Sequence, residues 1–321
     1  YIVGTIFSKV FNSLMHVQNV MFLQRSSFTD NDEIKKALMQ YGAVYTPIYA
    51  SFDGQGKQYY SGDNSANHAI VIVGWDDDME FSGAPGKGGW IIKNSWGANW
   101  RNNGYGYVSY YDKTCAPIGK VDSVFTFILN DTIRYDKNYQ YDVQGKSDFF
   151  YNSSVSVWYK NKFTATDDEY LTAVSTIFDK KTNYTFLIFV NDKLKLTQSG
   201  TTNPGYYTFN LDEIIPLHVG DEFVVVFNIT VDNEAGVPIS EKVSFNKYYY
   251  NKNTSFISYD GVNWADLYDL EWRYSSHTYN SAVACIKAFT TFNSINTSII
   301  LDIDNIGPES LDLIANVFNQ W

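Results

Sequence analysis

From residue 131 onward the chain loses helical periodicity and repeats one device, a short alternating run closed by a turn. Such runs lie at 154–159, 170–178, 184–190, 206–211, 222–229, 243–249, 256–259 and 282–289. Asn203-Pro204-Gly205, His218-Val219-Gly220-Asp221 and Asp260-Gly261 punctuate them. A side-chain period of two gives each run one face to bury, and regularly spaced runs bury those faces against one another. The expected architecture there is an all-β sandwich. Aromatics at 17 %, mostly 26 Tyr and 22 Phe, suit pleated, half-buried surfaces.

The first 130 residues read differently. Residues 1–29 carry a mixed apolar pattern that fits neither period. Thr29, Asp30 or Asn31 can then cap a helix, with Asp32 and Glu33 in its first turn. Ile34, Leu38 and Tyr41 share one face, and Gly42 suits the position after the last turn. An extended stretch at 43–50, a polar loop at 51–67 and strand-like runs at 69–75, 89–93 and 104–111 follow. One helix before a strand meander predicts an α+β fold with consecutive strands antiparallel. Its boundary with the sandwich falls at 128–134. Residues 291–321 start again, with a run at 297–304, a Gly307-Pro308 turn and an apolar run at 311–318. The expected division is therefore 1–130, 134–290 and 291–321, the last being the opening of an Ig-like β domain.

Several function classes drop out early. A formal net charge of −11 over 321 residues disfavours nucleic acid as a partner. No apolar run approaches the ~18 residues of a membrane span. Two cysteines are too few for a disulfide scaffold. His16, His218 and His277 lack ligand spacing, and Asp76-Asp77-Asp78 with Glu80 lacks EF-hand spacing, so no metal is expected. No phosphate loop or dinucleotide fingerprint occurs, and no cofactor is expected. The chain opens on Tyr1 with no signal-peptide pattern, which we read as an internal piece of a longer protein.

The chemistry-bearing stretch is 67–111. It reads Asn67-His68-Ala69-Ile70-Val71-Ile72-Val73-Gly74-Trp75-Asp76, then Trp90-Ile91-Ile92-Lys93-Asn94-Ser95-Trp96-Gly97, then Asn103-Gly104-Tyr105-Gly106-Tyr107. Taken alone, His68 is a histidine opening a buried strand, and a structural role is the simpler reading; the motif order that follows shifts the weight toward catalysis. The ordered set of three motifs resembles the C-terminal half of papain-like (C1 family) cysteine peptidases over residues 30–112. The resemblance implies the papain-like fold with its N-terminal lobe largely missing, and hydrolysis of peptide bonds by a Cys-His-Asn mechanism. It makes His68 the imidazolium partner of a thiolate and the acid for the leaving amine. It makes Asn94 the residue that orients that ring, and Trp96 the cover over their hydrogen bond. Asn67 stands where many members carry Asp, which removes a charge from the site. Trp100 reads as core packing.

The family's nucleophile sits in a Cys-Gly-Ser/Ala-Cys-Trp/Tyr context about 130–150 residues before the His. Cys115 and Cys285 both follow His68 and lack that context. Each reads as a small buried apolar residue. The nucleophile is thus expected upstream of Tyr1, and this chain alone is expected to be inactive.

Residues 134–290 resemble the lectin-like β-sandwich that follows papain-like domains in archaeal and bacterial surface proteins. Tyr206-Tyr207-Thr208-Phe209, the 217–225 run, Ser258-Tyr259-Asp260-Gly261-Val262-Asn263-Trp264 and the 285–290 run carry the likeness. Trp158, Trp264 and Trp272, with the tyrosines at 248–250, offer rings for sugar stacking. A sandwich also needs large core residues, so both roles stay open. Asn-x-Ser/Thr acceptors occur at Asn130, Asn152, Asn183, Asn228, Asn253 and Asn296. The combined expectation is an extracellular or cell-surface cysteine peptidase with protein or peptide substrates, and glycans or cell-wall polymers as further partners. The alternative is a surface adhesin whose peptidase lobe is degenerate.

Overall fold

The computed structural model describes residues 16–130, 135–241, 251–274 and 277–293. The expected run at 243–249 and all but the first residues of the expected Ig-like domain lie outside these. The first part forms β1 (His16–Phe22), α1 (Asp32–Tyr41), β2 (Val44–Ile48), β3 (Lys57–Gln58), β4 (His68–Asp76), β5 (Gly89–Lys93), β6 (Tyr105–Ser109) and β7 (Phe125–Asn130). The second part begins with β8 (Lys137–Gln140), β9 (Asp148–Tyr151), β10 (Ser156–Thr164), β11 (Glu169–Phe178), β12 (Thr182–Val190), β13 (Lys193–Thr202) and β14 (Gly205–Leu217). It continues with β15 (Glu222–Thr230), β16 (Gly236–Glu241), β17 (Ser255–Ser258), β18 (Ala265–Asp266), β19 (Glu271–Tyr274), β20 (His277–Asn280), β21 (Ala282–Ala284) and β22 (Lys287–Thr291).

Helix α1 starts and stops where its terminal residues dictate. Asp32 and Glu33 in its first turn complement the helix dipole, and Gly42 ends it at φ 92° with its N–H bonded to Leu38 O. Asn31 occupies the cap position without capping. Its backbone is already helical, so its Nδ2 turns back and donates to Phe28 O at 3.3 Å. Ile34, Ala37 and Leu38 are buried and join Val44, Ile48, Ile70, Ile72, Trp90 and Ile92 in one core.

The two parts are not separate sheets. One eleven-stranded sheet runs β3-β6-β5-β4-β2-β7-β1-β14-β11-β22-β8, antiparallel throughout except for β3 with β6. The seam is β1, whose residues show no readable pattern in sequence. Its one edge pairs with β7, and its other edge pairs Asn19 with Tyr207, Val20 with Tyr206 and Met21 with Gly205. Asn19 Oδ1 also accepts from Thr208 N at 3.0 Å. A Cβ on Gly205 would lie 2.3 Å from Val20 O, so only glycine allows this strand approach. Gly205→Val is expected to cost about 1–3 kcal/mol, read as a lowered midpoint in thermal denaturation.

Opposite the β14-β11-β22 end of that sheet lies a second sheet, β13-β12-β15-β10-β17-β18. Their inner faces enclose Phe163, Phe178, Phe186, Phe223, Phe227 and Ile188. Tyr159 is fully buried there because its hydroxyl meets the Thr176 hydroxyl at 3.0 Å. One sequence expectation changes here, and one strand had none. The single run at 282–289 is two strands, because the chain switches sheets at Cys285-Ile286: β21 pairs with β16, and β22 pairs with β11 and β8. Strand β13 shows no hydrophobic alternation because it is a mostly exposed edge carrying Lys193 and Lys195.

Candidate active site

Adjacent antiparallel strands bring the chemistry-bearing residues together. His68 opens β4 opposite Ile48 of β2, while Asn94 and Trp96 follow the end of β5. Because Val71 pairs with Lys93, the start of β4 and the end of β5 sit at one end of the sheet. The ring of His68 therefore meets Asn94 although 26 residues separate them.

His68 Nε2 lies 2.9 Å from Asn94 Oδ1. The same Oδ1 accepts from Ser95 N at 2.8 Å. An atom that accepts from a backbone N–H is the amide oxygen, so Nε2 must carry the proton it shares with Asn94. In the neutral ring this leaves Nδ1 as the basic nitrogen, free to take up or deliver a proton. Asn94 is 5 % exposed, and its backbone N–H donates to Gly104 O at 2.8 Å, so the acceptor is fixed from both sides.

The Trp96 ring stacks on His68 with 4.8 Å between centroids and 19° between planes. Trp96 is itself 48 % exposed, so it forms the outer wall of the site. Behind it stand Trp100 at 5.3 Å and Phe52 at 6.1 Å, both edge-on, with Phe52 also edge-on to Trp100 at 5.1 Å. Trp100 packs as expected. Phe52 escaped the sequence reading because it lies in a polar loop with no periodicity. Asn67 faces away from this work: its Oδ1 accepts from Ala50 N at 3.0 Å, and its N–H donates to Ile48 O. It ties the strand end that presents His68.

Both cysteines are buried. Cys115 is fully buried in the first core, and burial beside Asp112 pushes its thiol well up from the usual range. Cys285 lies in the second part, where burial and Asp142 push it the same way. Nucleophilic cysteines need the opposite surroundings. Asp77 is bound by Lys35 and Tyr110, Glu80 pairs with Lys87, and no metal-holding group of His, Cys, Asp or Glu occurs among the described residues.

On the second part, Trp158 and Trp264 are half-buried on the outer side of the second sheet. Trp272 lies on β19, and its side chain falls outside the described residues, as do the tyrosines at 248–250.

Residues 9–118 match the family model of the papain family cysteine proteases, and residues 138–290 match that of a lectin like domain. The first part of the chain is thus similar to papain family cysteine proteases and the second to a lectin like domain. The serine-repeat antigen protein 5 of Plasmodium falciparum is 30 % identical over 182 residues, 52 % of this chain and 18 % of that protein. Human cathepsin O is 32 % identical over 103 residues, 30 % of each chain. This chain thus spans less than a third of the length of either relative. Among solved structures, the clostridial cysteine protease Cwp84 after propeptide cleavage superposes with a TM-score of 0.70 at 20 % identity, over 89 % of this chain and 73 % of that one. The cysteine protease and lectin-like domains of Cwp84, a surface layer associated protein of Clostridium difficile, give 0.68 at 21 % identity, over 88 % and 64 %. That likeness extends to the whole arrangement, a papain-like fold continued by a lectin-like one. Among the described residues, no helix is long and apolar enough to cross a membrane.

Proposed function

We propose that the protein containing this chain is a cysteine peptidase, with 1–130 as the larger part of one lobe and 134–290 as a carbohydrate-binding sandwich. The hydrogen bond from His68 Nε2 to Asn94 Oδ1, roofed by Trp96, is the observation that carries this reading. It leaves Nδ1 for a thiol, whose proton it takes to give a thiolate–imidazolium pair. The thiolate attacks the peptide carbonyl carbon. His68 then passes its proton to the departing amine nitrogen, and water hydrolyses the thioester with the same imidazole as base. Asn94 keeps the ring in plane through both transfers, and Trp96 excludes water from the bond that holds it. The nucleophile in this reading is a cysteine outside these 321 residues, since Cys115 and Cys285 are sealed in cores. The surface-layer association of Cwp84 supports an extracellular or cell-surface location.

The test is hydrolysis of an unfolded protein by the intact protein and by the 321-residue chain. Activity in the first, abolished by iodoacetamide, and none in the second is the expected result. Hydrolysis that alkylation leaves untouched, or alkylation-sensitive hydrolysis by the 321-residue chain, overturns it.

A further inference from the structure

The outer face of the second sheet is organised in rows that run across its strands. One row sets Trp158 between Ser258 on β17 and Asn228 on β15, with Thr185 of β12 beyond. The next sets Lys160 between Phe256 and Val226, with Leu187 beyond, and the third sets Lys162 beside Val224 and Phe189. A hydroxyl- and amide-bearing row around one indole therefore lies against two rows that are apolar except for a lysine each.

Those lysines are not placed as ordinary solvated surface charges. The Lys160 ammonium lies 3.8 Å from the Trp264 ring centroid and 5.2 Å from that of Phe256, and Lys162 lies 5.7 Å from Phe256. Their strand partners Val226 and Val224 are only 5 % and 9 % exposed on the same face, where long apolar stems beside them can shield them from water. Lys160 makes no hydrogen bond or ion pair among the described residues. Lys162 has one loose partner, Glu222 at 3.4 Å. The nearby carboxylates are otherwise engaged: Asp260 accepts from Val262 N, Asn263 N and the Ser258 hydroxyl, and Asp266 from Asn253 N and Tyr268 N. Two like charges on one face of one strand, roughly 7 Å apart along it, repel each other. Burial and the neighbouring Lys162 both lower the Lys160 pKa from its usual value. In a chain of net charge −11 this is a cationic pair with a single carboxylate contact, that of Lys162 with Glu222 at 3.4 Å.

We infer that this face binds an acidic polysaccharide, with Lys160 and Lys162 receiving its carboxylates and Trp158 stacking on a sugar ring. Carboxylates set along a chain of pyranose rings complement both row types at once. Each sugar offers an apolar face to the indole and hydroxyls to Asn228, whose Nδ2 makes no hydrogen bond among the described residues. The inference rests on the carbohydrate-binding reading of the sandwich and does not depend on the peptidase reading.

The experiment is calorimetric titration of the 321-residue chain with a galacturonate hexamer, a neutral galactose hexamer and a single-stranded DNA oligomer, at low and high salt. The galacturonate hexamer is expected to bind, and to weaken about tenfold or more at high salt and in the Lys160→Met/Lys162→Met variant. Methionine keeps an unbranched apolar stem of similar length beside Val224 and Val226, so the thermal midpoint of that variant is expected to stay level or rise. Trp158→Ala is expected to weaken binding without changing its salt dependence. No binding of galacturonate, equal binding by the double variant, or binding indifferent to salt overturns the inference, and the wild-type salt series decides it even if a variant misfolds. DNA binding as tightly as galacturonate also overturns it. Equal binding of the neutral hexamer leaves the carbohydrate reading standing and removes this one, and failure of both sugars removes both.

Discussion

His68→Ala in the intact protein is expected to lower kcat for peptide hydrolysis by roughly 10³-fold or more, because one ring serves as thiol base and amine acid. Asn94→Ala is the sharper test. Asn94 touches no substrate in this scheme and acts only through the ring, 2.9 Å from Nε2. A hydrogen bond to a group that is charged in the reaction contributes about 1.5–3 kcal/mol, so kcat is expected to fall about 10- to 150-fold. KM should change little, since substrate binding does not involve this amide. A purely structural role for Asn94 predicts the reverse pattern: a lowered thermal midpoint with kcat per folded molecule intact. Trp96→Ala should reproduce a milder form of the kcat loss by admitting water to the same bond, since its ring stacks on His68 at 4.8 Å.

Lys287→Met is expected to give the largest loss of stability, about 3–5 kcal/mol in chemical denaturation. The Asp142 side chain is wholly buried, with Lys287 Nζ at 2.7 Å, and the same Nζ lies 2.6 Å from Gln140 Oε1. Removing the ammonium leaves a carboxylate in the sandwich core without a cation. Burial already raises the Asp142 pKa above the ordinary carboxylate range, and Lys287 only offsets part of it. A carboxyl raised in the folded state favours folding while protonated, and that contribution is lost as pH climbs through its folded-state pKa. The variant should accordingly be weakest at neutral and alkaline pH and approach wild type in acid. Replacing both partners, Asp142→Asn with Lys287→Met, should recover most of the loss at neutral pH. A uniform deficit at every pH would point to lost packing of the lysine stem instead.

Much of the local structure was legible because local physics sets it. Gly42 stops α1, and the apolar run at 89–93 is β5 residue for residue. The strands of the sandwich follow their alternation wherever one face is buried and the other wet. Legibility failed where that contrast vanishes. Strand β1 is sandwiched between two partner strands and carries mixed residues, and the edge strand β13 has little to bury. The break at Cys285-Ile286 was hidden because both halves of the run are buried, in different sheets. At the candidate site, His68, Asn94 and Trp96 stood out by motif order, whereas Phe52 had no pattern to mark it.

The sequence alone determined the two fold classes, helix α1, the strands with one buried and one wet face, and the identity of the side chains that meet at His68. These depend on periodicity, turn residues and motif order, all of which are local. The tertiary structure alone decided that the two parts share one sheet through β1, that Asn94 presents its oxygen to Nε2, and that Lys160 and Lys162 lie beside aromatic rings, Lys160 with no carboxylate partner among the described residues. Each of these depends on register between strands far apart in the chain. Register comes from burial summed over a whole face and from close approaches such as that of Gly205 to Val20, and no short stretch of residues carries that sum.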